Sequence, residues 1–231
     1  MTVSKKVLRK VSPTTRRQEY SASTKRALID VATELFTAQG YAGTSLDEIV
    51  AGARVTKGAL YHHFSGKQAL FEAVFVRVED AASESIKRAV RGTQDPWDKA
   101  MAGLRAFLDV LQQPEYRRLV IQEGPAVLGY EKYREQEERS TYGIVQDIVS
   151  SVLASYELEK SMVETFSRVF FGAMSAAGSA VSSAEDTRRA GAEVEAAIAF
   201  ILAGLRQQAE SGGTLPGPAD LVDESTGPNE D

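Results

Sequence analysis

Apolar residues recur at helical spacing through most of this chain, and that periodicity restricts it to a helical fold. One stripe falls on a single side of a helix and consists of Ala27, Leu28, Val31, Ala32, Leu35 and Phe36. A second stripe with the same spacing consists of Leu70, Phe71, Val74, Phe75 and Val78. No run of residues has the alternation and turn chemistry of a β-strand. The sequence therefore predicts an all-α fold.

The first third of the chain has recognisable helix ends. Gly40 is in the position of a C-terminal stop, and Ser45 followed by Glu48 forms a capping box for the next helix. The letters GARV end that second helix, and Thr56 can cap a third helix that runs to about Phe64. Two short helices joined by a tight turn predict a helix-turn-helix, whose second helix normally enters the major groove of DNA.

The whole chain divides into four predicted regions. Residues 1–22 are basic, polar and aperiodic, which predicts a flexible arm, and the helix-turn-helix domain is expected at 23–68. A helical domain should cover 69–211, with segments of roughly 15–25 residues that are separated by prolines. Residues 212–231 are acidic and rich in Pro and Gly, which predicts a disordered tail.

Charge is distributed unevenly along the 231 residues, whose net charge is −5. Residues 1–67 carry eleven basic and five acidic side chains, a net of +6, whereas the remainder carries sixteen basic and twenty-seven acidic ones, a net of −11. A basic first third suggests a surface for a polyanion, with chance clustering of solvated charges as the alternative. The lack of cysteine excludes disulfides and thiolate chemistry. The lack of a signal sequence or an apolar span predicts a cytoplasmic protein that does not contact a membrane.

Several residues of the predicted third helix suit contact with DNA. Gly58 lies in its first turn, where glycine costs about 1 kcal/mol relative to alanine. Close approach to a phosphate backbone and tight packing between helices would each explain this glycine. Lys57 is a cation near a helix N-terminus, where the dipole does not favour it, so we expect it to meet a phosphate or a guanine edge. Tyr61 and His62 follow one turn later and can donate hydrogen bonds to phosphate oxygens.

Neighbouring positions add candidates and alternatives. We expect Lys67, at the start of the fourth helix, to form an anion clamp with the exposed N–H groups there, and Thr44 and Ser45 to do the same at the second helix, although Ser45 could be only a cap. His62 and His63 point about 100° apart on a helix, which disfavours a shared metal ion. A nucleophile–histidine–acid triad is equally disfavoured, and His63 could instead be a packing residue.

The segment TSLDEIVAGARVTKGALYHHFSGKQALF resembles the DNA-binding domain of the tetracycline-repressor (TetR) family of bacterial regulators. That family has the pattern T-S-x-x-x-I-A, a turn, S/T-K-G-x-[LI]-Y-x-[HY]-F, and x-x-K-x-x-L. The matching residues here are Thr44, Ser45, Ile49, Thr56, Lys57, Gly58, Leu60, Tyr61, His63, Phe64, Lys67 and Leu70. The resemblance covers about residues 24–75. It departs at Arg54, where the family usually has glycine: a left-handed residue would cost about 1–2 kcal/mol there, unless the turn differs or Arg54 gains a phosphate contact.

The resemblance implies a ligand-responsive DNA-binding transcriptional regulator. The expected form is a repressor that binds a palindromic operator as a homodimer and leaves it when a small-molecule effector binds. Its partners would be double-stranded DNA, an unknown effector and a second copy of the chain, with no cofactor, no metal and no enzyme activity. A DNA-binding nucleoid or division-associated adaptor of the same fold, without a ligand, is the alternative. The predicted DNA-binding residues are Thr44, Ser45, Arg54, Thr56, Lys57, Gly58, Ala59, Tyr61, His62 and Lys67.

The resemblance also assigns ligand binding and dimerisation to the helices after the fourth. The last two helices, about 160–183 and 186–210, are expected to pair with their twins in a four-helix bundle, with an ordinary intramolecular core as the alternative. Glu123 ends an apolar run and could meet a cationic ligand or cap the next helix, and the cap is favoured. The predicted pocket residues are Trp97, Met101, Phe107, Tyr116, Glu123, Tyr130, Tyr133, Tyr142, Phe166, Phe170 and Met174.

Overall fold

The computed structural model describes residues 13–156 and 158–213, which form helices joined by short turns. These ranges contain no β-strand, so the predicted all-α fold is confirmed. No helix within them is both long enough and apolar enough to cross a membrane. The segments are α1 (Pro13–Gly43), α2 (Leu46–Gly52), α3 (Lys57–His63), α4 (Lys67–Val90), α5 (Pro96–Leu111), the π-helix π1 (Tyr116–Gln122), α6 (Gly124–Leu128), α7 (Tyr130–Glu137), the π-helix π2 (Glu138–Tyr142), α8 (Gly143–Leu153), α9 (Lys160–Ser183) and α10 (Thr187–Glu210).

The first helix is longer than the sequence predicts. It begins at Pro13, so the prediction of a flexible arm over residues 1–22 is wrong for residues 13–22. Proline is well suited to the first position of a helix, and a polar helix that projects from a domain needs no apolar stripe to reveal it in the sequence. Residues 1–12 lie outside the described residues. At the other end α10 stops at Glu210, and most of the predicted acidic tail, 214–231, also lies outside them.

The helices α1, α2 and α3 pack into a head with the caps that the sequence predicts. Ser45 accepts a hydrogen bond from the Glu48 amide, and the Glu48 carboxylate accepts one from the Ser45 amide, which completes the capping box. The helix α1 is interrupted at Gly40, whose φ of 78° is the conformation expected of a glycine stop. The largest fully buried side chains of the head are Leu28, Phe36, Ile49 and Leu60.

The helix α4 joins the head to the body, and one apolar core runs through both. The Phe71 ring of α4 meets the Phe36 ring of α1 edge-on, with the ring centroids 5.4 Å apart. Buried residues of the same cluster continue through α5 and π1 as far as Val181 of α9. Arg77 of α4 adds a polar link, because its guanidinium donates to Asp30 and to Thr33 on α1.

The middle of the body consists of shorter pieces than the predicted helices of 15–25 residues. The segments π1, α6, α7 and π2 have seven, five, eight and five residues. Pro125 lies in the first turn of α6, and Gly129, with a φ of 82°, separates α6 from α7. Proline removes a backbone donor and glycine permits a positive φ, so both interrupt a continuous helix.

The helices α9 and α10 have bounds close to the predicted ones, and each has an apolar side that the body does not cover. Phe171 and Val181 of α9 and Leu202 of α10 are buried inside the body. On the opposite sides Val169, Phe200 and Ile201 are 63%, 82% and 46% exposed. We call this surface the outer face, and it consists of Val169, Ala173, Ala176, Ala180, Ala197, Phe200, Ile201 and Gly204.

Candidate nucleic-acid interface and body cavity

The helix α3 presents most of its side chains to solvent. Thr56 caps it by accepting a hydrogen bond from the Ala59 amide at 3.1 Å, as predicted. Only Leu60 is buried in the head, whereas Tyr61 is 58% exposed and His62 is also exposed. The head therefore buries Leu60 completely and leaves most of the surface of α3 for another partner.

Gly58 has no packing role inside the head. A Cβ atom built at this position would meet only the Thr56 hydroxyl oxygen, at an ordinary 3.8 Å. The interpretation of Gly58 as a requirement of tight packing between helices is therefore wrong. The glycine keeps the exposed first turn of α3 free of a side chain, which is the condition for close approach by an external surface.

Lys57 is exposed and forms an ion pair with Asp47 of α2. Its Nζ lies 2.6 Å from the Asp47 carboxylate, and both side chains are more than 60% exposed. The hydrogen bond and the charge of Asp47 raise the pKa of Lys57. A phosphate that approaches Lys57 would compete with Asp47 for the same ammonium group.

Lys67 is used inside the head instead of being directed at an external anion. Its ammonium donates to the carbonyl oxygens of Tyr41, at 2.7 Å, and of Thr44, at 2.9 Å. The same Nζ lies 4.4 Å from the centroid of the Tyr41 ring. This geometry does not support the predicted phosphate clamp, because the ammonium already satisfies the two carbonyls at the end of α1.

The two residues before α2 have different environments. Thr44 is buried, and its hydroxyl donates to the Gly40 carbonyl at 2.8 Å. Its side chain therefore does not face an external phosphate, contrary to the prediction. Ser45 is exposed, but its hydroxyl serves the capping box. The caps hold the start of α2 in place, and the expected anion contact from these two hydroxyls stays a prediction without geometric support.

The turn between α2 and α3 contains the only non-glycine residue with a positive φ in the described part of the chain. This is Arg54, with a φ of 54°, and its side chain is exposed. The departure from the family glycine is therefore accommodated by a left-handed arginine, at a cost of about 1–2 kcal/mol.

The two histidines at the end of α3 differ in exposure. His62 is exposed, whereas His63 is half-buried, with its ring centroid 6.3 Å from that of Phe64. Burial, and then the charges of His62 and Lys25, lower the pKa of His63. A neutral imidazole next to a buried phenyl ring supports the packing role for His63.

One surface groove brings half of the predicted DNA-binding residues together. It lies between the starts of α2, α3 and α4 and has a volume of about 540 Å³. The predicted residues that line it are Thr44, Ser45, Lys57, Tyr61 and Lys67. The others do not line this groove; they belong to α3 and the turn before it, and they are Arg54, Thr56, Gly58, Ala59 and His62.

A second cavity lies inside the body and has a volume of about 130 Å³. Residues of α4, α5, π1, α7, π2, α8, α9 and α10 line it. Four of the predicted pocket residues line it, namely Phe107, Tyr116, Phe170 and Met174. The others do not, and they are Trp97, Met101, Glu123, Tyr130, Tyr133, Tyr142 and Phe166. Among these, Tyr130 is 73% exposed, and the Tyr133 ring packs on Phe75 in the core.

The polar end of the cavity was not predicted from the sequence. It contains Glu137, which is 8% exposed, and Ser175, whose hydroxyl donates to Glu137 Oε1 at 2.8 Å. Burial is the largest cause that raises the pKa of Glu137. Glu137 stands in the charged run EKYREQEER, which is typical of a solvated surface, so no local signal distinguished it from its neighbours.

A second buried carboxyl group, that of Glu79 on α4, lies close to this polar end. It is 2% exposed and accepts a hydrogen bond from the Ser140 hydroxyl. Burial raises the pKa of Glu79 to about 7, although the hydrogen bond from Ser140 opposes this shift. The negative charge of Glu137 adds to the increase, which shows that the two carboxyl groups interact.

Comparison with known proteins shows the family to which the head and the body belong. Residues 28–74 match the family described as bacterial regulatory proteins, tetR family, and residues 97–205 match the tetracyclin repressor-like, C-terminal domain. The transposon Tn10 TetC protein of Escherichia coli is 30% identical over 142 residues, which cover 62% of this chain and 72% of that protein. This chain belongs to the tetR family.

Other relatives of this TetR-family chain match over different lengths. The HTH-type transcriptional activator FasR of Mycolicibacterium smegmatis is 36% identical over 85 residues, which cover 37% of this chain and only 39% of that protein. The crystal structure of a TetR-family transcriptional regulator from Pectobacterium atrosepticum has a TM-score of 0.71 at 26% identity, over 81% of this chain and 96% of that chain. The similarity in fold therefore extends from the head into the body.

The head of this TetR-family protein is tied to its body at one polar contact. Glu123 Oε2 accepts a hydrogen bond from the Tyr41 amide at 2.9 Å, and Glu123 Oε1 lies 3.4 Å from Arg118 Nε. The predicted role of Glu123 as a side-chain cap of the next helix is wrong, because its carboxylate makes no cap hydrogen bond to α6. We call the group formed by Tyr41, Arg118 and Glu123 the head–body contact.

Gly40 is required for this contact on two grounds. Its φ of 78° disfavours any residue with a side chain. A Cβ atom at this position would also lie 2.6 Å from Glu123 Oε1 and 2.7 Å from Arg118 Nη2. The glycine that ends the main part of α1 therefore also makes room for the carboxylate and the guanidinium of the body.

Proposed function

We propose that this chain is a cytoplasmic DNA-binding transcriptional regulator, a repressor that binds a palindromic operator as a homodimer and is released by a small-molecule effector. The observation that carries the proposal is the exposed side of α3, where Lys57, Gly58 and Tyr61 face solvent without a role in the core of the head. Exposed basic and hydroxyl groups on the second helix of a helix-turn-helix suit phosphate and base contacts. Membership of the tetR family supports the same function.

Lys57→Ala is expected to weaken operator binding about three- to tenfold and to lower the slope of log affinity against log salt by about 0.9, because one phosphate contact is lost. Fluorescence anisotropy over a series of salt concentrations measures both quantities, on an operator selected from random-sequence DNA. Lys87→Ala is the matched control, since Lys87 pairs with Glu84 on the surface of α4, outside the groove. An unchanged slope for Lys57→Ala would remove Lys57 from the DNA contacts.

The outer face supports the homodimer. It exposes Phe200, Ile201 and Val169 beside small residues that allow helices to approach closely. Contiguous apolar surface of this kind marks an interaction site more often than a solvated one. A two-fold axis through the outer face would let each helix meet its own copy, and would present two heads in the symmetry that a palindromic operator requires.

The π-helix π1 supports a response to an effector because it touches both the cavity and the head. Its Tyr116 and Ile121 line the cavity, and Arg118 and Glu123 form the head–body contact. A ligand that binds more tightly to one of two positions of π1 would favour that position. The head–body contact would then move Tyr41 together with π1. Tyr41 is in turn held to Lys67 of α4, so the start of the DNA-binding groove would move too.

Glu123→Ala is expected to lower operator affinity several-fold although Glu123 lies in the body, because the Tyr41 amide loses a charged acceptor and the start of the groove loosens. The salt slope should stay unchanged, since no phosphate contact is removed. The anisotropy titrations described for Lys57 measure the operator affinity and its salt slope. Glu115→Ala is the control. It removes an exposed carboxylate just before the first residue of π1 and should leave operator affinity unchanged. Equal affinity for Glu123→Ala and wild type would argue against control of the head through this contact.

The body cavity favours this function over that of a DNA-binding adaptor without a ligand. An unfilled apolar cavity reduces stability by lost contacts with its lining, so a protein that binds nothing there would gain from closing it. An operator complex that is not released by any small molecule tested would favour the adaptor.

A further inference from the structure

The walls of the body cavity determine the shape of the ligand that it can hold. They are almost entirely aliphatic and aromatic, with contributions from Phe107, Ile148, Phe170, Met174 and Leu202. Its volume of about 130 Å³ is close to the roughly 150 Å³ of an apolar protein cavity that holds one benzene ring. The apolar part of a ligand should therefore be about the size of one aromatic ring.

The polar end of the cavity has one acceptor without a partner. Glu137 Oε1 accepts a hydrogen bond from Ser175, but Oε2 is inaccessible to solvent and has no hydrogen-bond partner. The Thr141 hydroxyl, which also belongs to this end, donates to the Glu137 carbonyl instead. A buried carboxylate oxygen without a donor is unfavourable, so a positive charge that enters the cavity beside Glu137 would stabilise its carboxylate.

The charges around Glu137 favour a positive donor over a neutral one. The nearest basic group, Arg134 Nη1, is 4.0 Å from Oε2, and Arg134 also pairs with Glu138. Glu79 adds a second buried carboxyl group near the same end. Burial raises the pKa of Glu137, and a cation bound beside it would favour the ionised carboxylate and lower that pKa.

We infer that the ligand of this cavity is a small aromatic or aliphatic amine, whose apolar part fills the walls and whose protonated nitrogen lies against the Glu137 side chain and pairs with its carboxylate charge. The inference rests on the proposed effector site and specifies its chemistry. Acids of the same size are disfavoured at this end, because the carboxylate of the ligand would lie against the buried carboxyl group of Glu137. Neutral molecules of the same shape fit the walls but gain only a neutral hydrogen bond, which is about half as strong.

Three probes of nearly equal shape test the inference, namely 2-phenylethylamine, 2-phenylethanol and 3-phenylpropanoate. Calorimetric titration of the DNA-free, full-length protein at neutral pH should give an affinity for the amine about ten- to a hundredfold above that for the alcohol, and no binding of the acid. Glu137→Gln should bring the amine and the alcohol to similar affinities. Glu138→Gln is the matched control, because it removes the adjacent exposed carboxylate, and it should keep the preference for the amine.

Each other outcome overturns the inference. Equal affinities for the amine and the alcohol in the wild type would mean that Glu137 does not select a cation. Preferred binding of the acid, or no binding of any probe, would mean that the ligand has another charge or that molecules of this size do not enter. A preference for the amine that survives in Glu137→Gln would place the cation elsewhere. Operator binding is measured separately, so an amine that binds without releasing DNA would contradict only the proposed effector response.

Discussion

Ile201→Glu is expected to convert the proposed dimer to a monomer. Ile201 is 46% exposed on the outer face, next to Phe200, which is 82% exposed. A two-fold contact between outer faces would bury the new carboxylate, and symmetry would repeat it on the partner. An unpaired buried charge costs about 3–5 kcal/mol, so the dissociation constant of the dimer should rise by a factor of about a hundred or more. Light scattering or sedimentation measures the change, and cooperative operator binding should be lost with it.

Ala192→Glu is the matched control for the dimer. It places the same charge on the same helix, nine residues earlier, which is about half a turn away from Ile201 around the helix axis. Ala192 is exposed and lies outside the outer face, so the variant should remain a dimer. A wild-type protein that is monomeric at micromolar concentration in the absence of DNA would show that the outer face has another use.

Glu79 should make the stability of the protein fall as pH rises from 4.5 to about 7. Its pKa is about 7 in the folded protein against an ordinary value of 4.5, so the folded state binds the extra proton between these two values. The resulting stabilisation is fully present below pH 4.5, is lost progressively as pH rises, and is absent above about pH 7. The shift corresponds to about 3 kcal/mol of unfolding free energy.

Denaturant unfolding of wild type and Glu79→Gln between pH 4.5 and pH 8 measures this dependence. The relevant quantity is the difference in unfolding free energy between the two proteins at each pH. The glutamine cannot ionise, so its stability relative to wild type should rise by about 3 kcal/mol over the range. Glu84→Gln removes an exposed carboxylate from the same helix and should show no such trend. A difference between wild type and Glu79→Gln that does not vary with pH would mean that Glu79 is ionised throughout.

The features that the sequence predicted correctly depend on near neighbours in the chain. The capping box joins Ser45 to Glu48, and Thr56 caps α3 through an amide three residues later. Apolar spacing fixes which side of each helix is buried, because the helix repeats every 3.6 residues. Such relations can be read from a few consecutive letters, and they are why the caps and the buried sides of the helices in the head could be predicted.

The features that were missed depend on contacts between distant residues. Lys67 donates to carbonyls 26 and 23 positions earlier, and Glu123 accepts from an amide 82 positions earlier. A lysine near a helix start could bind an anion, and a glutamate before a short helix could cap it. In both cases the side chain instead bonds to a residue that is distant in the sequence. Glu137 joins the cavity only because α7 packs in the body, and nothing in its charged neighbourhood indicates that.

The apolar core that runs unbroken from Leu28 in the head to Val181 in the body has a consequence for engineering. Residues 23–68 of this chain should not transplant into another protein as a unit. A graft cut there would take Phe36 from Phe71 and Tyr41 from Glu123. A working chimera needs its junction beyond α4, with an arginine–glutamate pair at the end of π1 in the recipient. The specificity for DNA can thus be exchanged only together with the part of the body that receives it.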